Sequence, residues 1–257
     1  MIASLPMYDL PALQGAHDRV WHAIRARLGV GPQSLTRGGD PWDHWQSPDL
    51  ILSQTCGCPY RKHLHGRVTL VGTPDHGLPG CPAGYYNSVF VVRAGDARRT
   101  LPEFSNARFA FNDALSQSGW AAPQNHVRTL GFAFETLLRT GSHRASALMV
   151  RDGQADIAAL DALTWQLLQR HERVGDGLRE LARTRPTPAL PYITALGRDG
   201  AAVFAALAAA IEDMDGADRD ALSLRGIRAV PSAAYLEVPS PPGPDMTQGQ
   251  VPDLRAF

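Results

Sequence analysis

The feature that most constrains this chain is a series of short, apolar, β-rich runs separated by segments of helical periodicity. Residues 2–8 read as a first strand. Asp9 then stands where it can cap a helix whose first turn tolerates Pro11, and Leu13, Val20, Trp21, Ile24 and Leu28 recur on one helical face. Further strands are predicted over 50–54, 68–72, 88–92, 108–112 and 156–160, with helical segments over 129–138 and 143–153. An apolar helix follows through Val203, Phe204, Leu207 and Ile211. This alternation predicts an α/β chain with largely parallel sheets. Such sheets collect ligands at the carboxyl ends of their strands, and Tyr8, Gln54, Asn112 and Asp161 all fall at predicted strand ends.

Charge and punctuation narrow the reading. Lys and Arg number 25 against 25 Asp and Glu, so no net field is available to hold a nucleic acid or an anionic membrane. No apolar run approaches the roughly 18 residues of a membrane span, and no membrane insertion is expected. The first residues lack a basic segment followed by an apolar run. The sequence as written is therefore expected in the cytoplasm, and in the periplasm if the true start lies upstream. Cys56, Cys58 and Cys81 sit in one Gly/Pro-rich region near His63 and His65, but Cys-x-Cys is not the usual zinc spacing. No metal or cofactor is expected. A Pro-rich stretch over 184–191 looks like a crossing between lobes, and the segment from about 239 is too rich in proline for regular structure.

Four features carry chemistry. In Asn112-Asp113-Ala114-Leu115-Ser116-Gln117-Ser118-Gly119, two hydroxyls and a following helical turn can surround an anion with side-chain and backbone donors. In Thr140-Gly141-Ser142-His143, Gly141 closes one element and Ser142 can cap the next, leaving His143 in a first helical turn. Asp161 ends a strand, where it can read an amine or hydroxyl of a ligand, cap the helix from Ala162, or do both. The adjacent Tyr85 and Tyr86 suit either ligand contact or aromatic packing beside a hinge.

In their order along the chain these segments resemble the phosphonate-binding proteins of the phosphate/phosphite/phosphonate ABC transporters. The resemblance rests on Gln54-Thr55-Cys56-Gly57, Gly80-Cys81 leading to Tyr85-Tyr86-Asn87-Ser88, Ser116-Gln117-Ser118-Gly119, Thr140-Gly141-Ser142-His143, the 155–161 strand and Pro188-Ala189-Leu190-Pro191. It implies an α/β, two-lobed, type II periplasmic-binding-protein-like fold, each lobe a mixed, largely parallel sheet flanked by helices. Lobe 1 is expected over 1–87 plus 187–257, with a tail from about 239, and lobe 2 over 88–186.

By the same resemblance, Ser116, Gln117, Ser118 and His143 hold the oxygens of a small oxyanion, a phosphonate or a phosphate-like ligand, in a cleft between lobes. Tyr8, Gln54, Tyr85 and Tyr86 reach from the other side, and Asp161 completes the set. The middle motif position is commonly Thr in that family, and Gln117 stands there instead. The expected function is solute binding without catalysis, with an ABC permease as the partner that the family's role brings in. The alternative from a different class is a cytoplasmic sensor or a biosynthetic precursor-binding protein or enzyme using the same cleft. As an enzyme it would use Cys56 or Ser116 with His143, although no nucleophile-elbow signature surrounds either.

Overall fold

The computed structural model describes residues 1–244 of the chain; residues 245–257 lie outside the described part. The strands in chain order are β1 (Ile2–Ser4), β2 (Leu50–Gln54), β3 (Val68–Asp75), β4 (Tyr85–Tyr86), β5 (Ser88–Arg93) and β6 (Phe109–Phe111). They continue with β7 (Leu137–Arg139), β8 (Ile157–Asp161), β9 (Leu178–Arg183), β10 (Thr187–Pro188), β11 (Tyr192–Ala195) and β12 (Gly226–Arg228). The chain forms two compact units, Met1–Tyr85 with Thr187–Val238, and Tyr86–Pro186 with the segment from Pro239. Strands β4 and β10 pair where the chain passes between them.

The first unit is a sheet in the order β1-β2-β11-β3-β12. Strands β1 and β2 are parallel, while β11 runs antiparallel to both β2 and β3. Helix Gln14–Leu28 buries Ala16, His17, Val20, Trp21 and Ile24, a spacing that makes one face of a helix apolar. It ends at Gly29, whose φ of 66° closes the last turn by donating to the Arg25 carbonyl. Trp45, Leu50, Tyr60, Leu64, Ile193 and Tyr235 form a core cluster on this sheet. The Tyr235 hydroxyl bonds Thr73 Oγ1 at 2.6 Å and the Ala189 carbonyl at 2.8 Å, so this buried phenol is fully occupied.

The second unit is a sheet in the order β7-β6-β8-β5-β9. Here β6 is parallel to β7 and β8, and β5 is antiparallel to β8 and β9. Phe90, Phe104, Phe109, Phe111, Trp120, Val127 and Phe134 fill its core, with the Phe109 and Phe134 rings stacked 4.3 Å apart. Burying each such ring contributes about 2–3 kcal/mol.

Four expectations change. First, the sheets are mixed with more antiparallel ladders than the alternation predicted. The strand that follows each crossing, β5 in one unit and β11 in the other, is inserted antiparallel to both neighbours. A strand arriving from the other unit has no crossover helix of its own to hold it parallel. Second, Asp9 does not cap the first helix. The turn Pro11–Leu13 is 3-10 with Leu10 at its cap, and the Asp9 carboxylate takes His17 Nδ1 at 3.0 Å and Arg37 Nε at 2.7 Å instead.

Third, the helix expected over 129–138 lies earlier, at Ala122–Arg128, and β7 occupies the end of that interval. Pro123 starts the helix early, and Gly131 with a φ of 88° turns the chain. The Gln124 side chain then donates to the Phe134 carbonyl at 3.1 Å and accepts its N–H at 3.3 Å, holding this segment extended. Fourth, the tail from 239, assigned to the first lobe by sequence, groups with the second unit as far as it is described. Prolines have no N–H to enter a sheet, but their carbonyls accept bonds from Trp120 Nε1 at 3.1 Å and Asn125 Nδ2 at 2.7 Å.

A buried histidine in the first unit sets an acid limit. His76 Nδ1 donates to the Ser223 carbonyl at 3.0 Å, its Nε2 is sealed without a partner, and burial pushes its pKa down to about 4. Between about pH 6.5 and about pH 4 the unfolded chain carries a proton that folded His76 refuses, so stability falls as the pH drops through that window. The loss is on the order of 3 kcal/mol. Urea unfolding across this range is expected to show the decline, and His76→Asn, which keeps a donor for Ser223, is expected to lessen it, leaving the share of the other deeply buried histidine, His143.

Candidate anion-binding site

Because β6, β7 and β8 run parallel, their carboxyl ends share one edge of the second sheet, and the chain leaves them at Asn112, Thr140 and Asp161. Two backbone bonds join the first two ends. Thr140 N–H donates to the Phe111 carbonyl at 2.9 Å, and Gly141 N–H to the Asn112 carbonyl at 3.0 Å. This clamp places the loop before His143 beside the loop before Ser116.

Ser116 caps a helical turn over Gln117–Ala121, its Oγ accepting the Gly119 N–H at 2.9 Å. The turn is of the wide π type, with Ala121 N–H reaching back to the Ser116 carbonyl at 3.0 Å, and it runs directly into helix Ala122–Arg128. Ser116, Gln117 and Ser118 are buried. His143 opens helix His143–Arg151, which Ser142 caps by accepting the Ala145 N–H at 3.0 Å. Ser118 Oγ and His143 Nε2 are 2.9 Å apart. The structure therefore brings together four residues that lie up to 27 positions apart in the sequence, Ser116 to His143.

The electrostatics are those of a neutral site. Burial pushes the His143 pKa down to about 4, with the Ala159 carbonyl offsetting part of this. The Nδ1 atom is sealed from solvent. At neutral pH the imidazole thus offers one donor and one acceptor and no charge. Hydroxyls from Ser116 and Ser118, the imidazole, and the first-turn amides that a helix leaves unsatisfied can converge on an oxyanion.

The other expected residues divide between the units. Asp161 stands on the same sheet edge, 2% exposed, and caps helix Ala162–His171 by accepting the Thr164 N–H at 2.9 Å. That realises the capping alternative. Tyr85 is half-buried against the first unit's core, whereas Tyr86 belongs to the second unit and is 1% exposed. In the first unit, the Gln54 side chain donates to the Leu190 carbonyl at 3.1 Å, a bond that fixes the end of β2. Tyr8 lies beyond the shortened β1, with a φ of 65° and its ring set edge-to-face with that of His76, the ring centres 5.6 Å apart. A bulky residue held in the left-handed region is strained, and such strain concentrates at functional positions.

In the sequence Asn87 stands only within the Tyr85-Tyr86-Asn87-Ser88 motif, and Asn112 as a strand end and the head of the anion motif. Both have a sealed Oδ1 without a partner, and Asn87 is 5% exposed. Asn87 precedes the strand whose first residue, Ser88, pairs with Asp161, so it adds an unsatisfied acceptor at the same edge. A polar residue immediately before or after a buried apolar strand was the available signal.

Among the described residues no group of three or more His, Cys, Asp or Glu side chains could hold a metal ion, and no helix is long and apolar enough to cross a membrane. Two α/β units joined by paired crossings, each a mixed sheet with the returning strand inserted antiparallel, define the architecture of a periplasmic-type solute-binding protein. The family model for the periplasmic, phosphonate substrate-binding protein of ABC transporters matches residues 59–234, more than half of the chain, and the protein belongs to that family.

Solved structures agree on the fold. PhnD1 from Prochlorococcus marinus in complex with methylphosphonate is 16% identical with a TM-score of 0.73, covering 91% of this chain and 94% of its own. XAC2383 from Xanthomonas citri bound to ATP is 16% identical with a TM-score of 0.66, covering 92% and 98%. A binding protein component of an ABC phosphonate transporter from Pseudomonas aeruginosa is 14% identical with a TM-score of 0.64, covering 89% and 81%. A search of curated proteins returned no match.

The turn can be tested without touching a donor. A Cβ placed on Gly119 would stand 1.8 Å from Asn112 Oδ1 and 3.2 Å from Ser116 Oγ. Gly119→Ala is therefore expected to displace Asn112 and the Ser116 cap, lowering oxyanion affinity at least ten-fold by calorimetry while far-UV circular dichroism stays unchanged.

Proposed function

We propose that the turn Ser116-Gln117-Ser118 and His143 hold the oxygens of a phosphonate or phosphate-like ligand, and that the chain acts as a binding component without catalysing a reaction. The observation that carries this reading is the Ser118 Oγ to His143 Nε2 distance of 2.9 Å at the head of a buried, Ser-capped helical turn. A small anion loses its hydration on burial and needs several fixed donors in return, and hydroxyls and amides provide them without excess charge.

The serine–histidine pair also raises the enzyme alternative. No nucleophile-elbow signature surrounds Ser116 or Ser118 in the sequence, and this favours binding. Tyr8, Gln54, Tyr85 and Tyr86 complete the proposed contacts, and Asp161 reads a donor-bearing part of the ligand. The proposed partner is an ABC permease and the proposed compartment the periplasm, both following from the family's role.

Calorimetric titration with methylphosphonate and with inorganic phosphate tests the site. A hydrogen bond to a charged group is worth about 1.5–3 kcal/mol. His143→Ala is expected to weaken binding about ten-fold or more, and a Ser116/Ser118 double alanine variant further still. The exposed control Arg170→Ala is expected to bind as the wild type does. Unchanged affinity in both site variants would move the site elsewhere.

A further inference from the structure

The helical run that begins with the anion turn has a second attachment. Trp120 follows Ser118 by two residues, and its buried ring lies 5.0 Å from that of Phe111, the last residue of β6. Its indole N–H donates outward, to the Pro242 carbonyl at 3.1 Å. Further along the same run, Asn125 Nδ2 donates to the Pro239 carbonyl at 2.7 Å. Both acceptors lie in residues 239–244, where Pro239, Pro241, Pro242 and Pro244 leave little backbone N–H for regular structure. A cavity of about 350 Å³ lined by Trp120, Gln124, Phe134, Leu137 and Pro242 adjoins this strap. Hydrogen bonds to its carbonyls, rather than close packing alone, therefore fasten it.

The turn it fastens needs support. Residues 117–121 bond in the wide π pattern, which is less regular than an α-turn and is held by its surroundings. The strap reaches this turn from helix Ser232–Leu236 of the first unit, so the chain passes between units a third time and ends that passage on the run that carries Ser116 and Ser118.

We infer that the strap of residues 239–244 is a positioning element for the anion turn, clamping its helical run through Trp120 and Asn125 and so fixing the spacing of the Ser116 and Ser118 donors. The inference rests on the reading of that turn as the anion site. Neither strap residue needs to touch the ligand.

The test combines Trp120→Phe with Asn125→Ala in the full chain, which removes both clamping N–H groups and keeps an aromatic ring against Phe111. Asn125→Ala alone serves as a second variant that leaves the core untouched. Affinity for methylphosphonate and inorganic phosphate is read by calorimetry, amide exchange at residues 117–121 by mass spectrometry, and stability by thermal unfolding. The expected result is a five-fold or greater loss of affinity with faster exchange at 117–121 in the double variant, and a smaller loss in the same direction in the single one. Thr129→Ala, which removes only a hydroxyl bond to the His126 carbonyl on the same run, is expected to change neither. A lowered melting temperature with unchanged affinity and unchanged exchange at 117–121 would overturn the inference and leave the strap a stabilising element only. If the wild type bound neither probe, the anion-site reading would itself fall; if the wild type bound and the double variant bound equally, only the strap's role would.

Discussion

The second unit depends on the parallel pairing of β6 with both of its neighbours. Parallel strands put all their carboxyl ends on one edge, and each end must hand over to a loop there. Two of those loops are then stapled by the bonds from Thr140 and Gly141 to the carbonyls of Phe111 and Asn112. That staple brings a serine-capped turn and a histidine-headed helix within 2.9 Å of each other without either loop needing to be long. The aromatic core behind the edge, with Phe109, Phe111, Phe134 and Trp120, gives the staple a rigid base.

The turn and the histidine at this edge would bring little formal charge to the anion proposed for them. Asp113 and Arg139 form an ion pair with each other nearby, and Arg144 does the same with Glu172, so these cations are already committed. The three turn residues Ser116, Gln117 and Ser118, and His143, are neutral at neutral pH. Selectivity in such a site comes from the number and direction of donors, since a fixed cation would attract any anion of passing size. The unsatisfied acceptors of Asn87 and Asn112 on the same edge add the complementary restriction, since an all-acceptor ligand face would meet them unfavourably.

Much of this was legible in the sequence, for identifiable reasons. The strand 50–54 and the helix beginning at His143 appear where periodicity and capping residues put them, because local chemistry decides those boundaries. What local chemistry does not decide was misread. The Leu and Phe residues of 129–138 fit a helical spacing, but the Gln124 amide and the stacking of Phe134 on Phe109 hold the segment extended. Asp9 looked like a cap because its partner Arg37 lies 28 residues away. Antiparallel insertion of β5 and β11 could not be read from alternation, since it reflects where the chain returns from. The candidate site is legible only through the resemblance, as Ser-x-Ser-Gly and a first-turn histidine are each common in ordinary loops.

The three passages of chain between the units also restrict how such a protein can be taken apart. The first unit is made of two separate stretches and so is the second, interleaved along the sequence. No single cut releases either unit whole, and neither can be encoded as one contiguous gene segment without rejoining its ends. Exchange of a lobe between relatives by simple recombination would carry a broken sheet with it, because β11 closes the first sheet from the far side of the second unit's sequence.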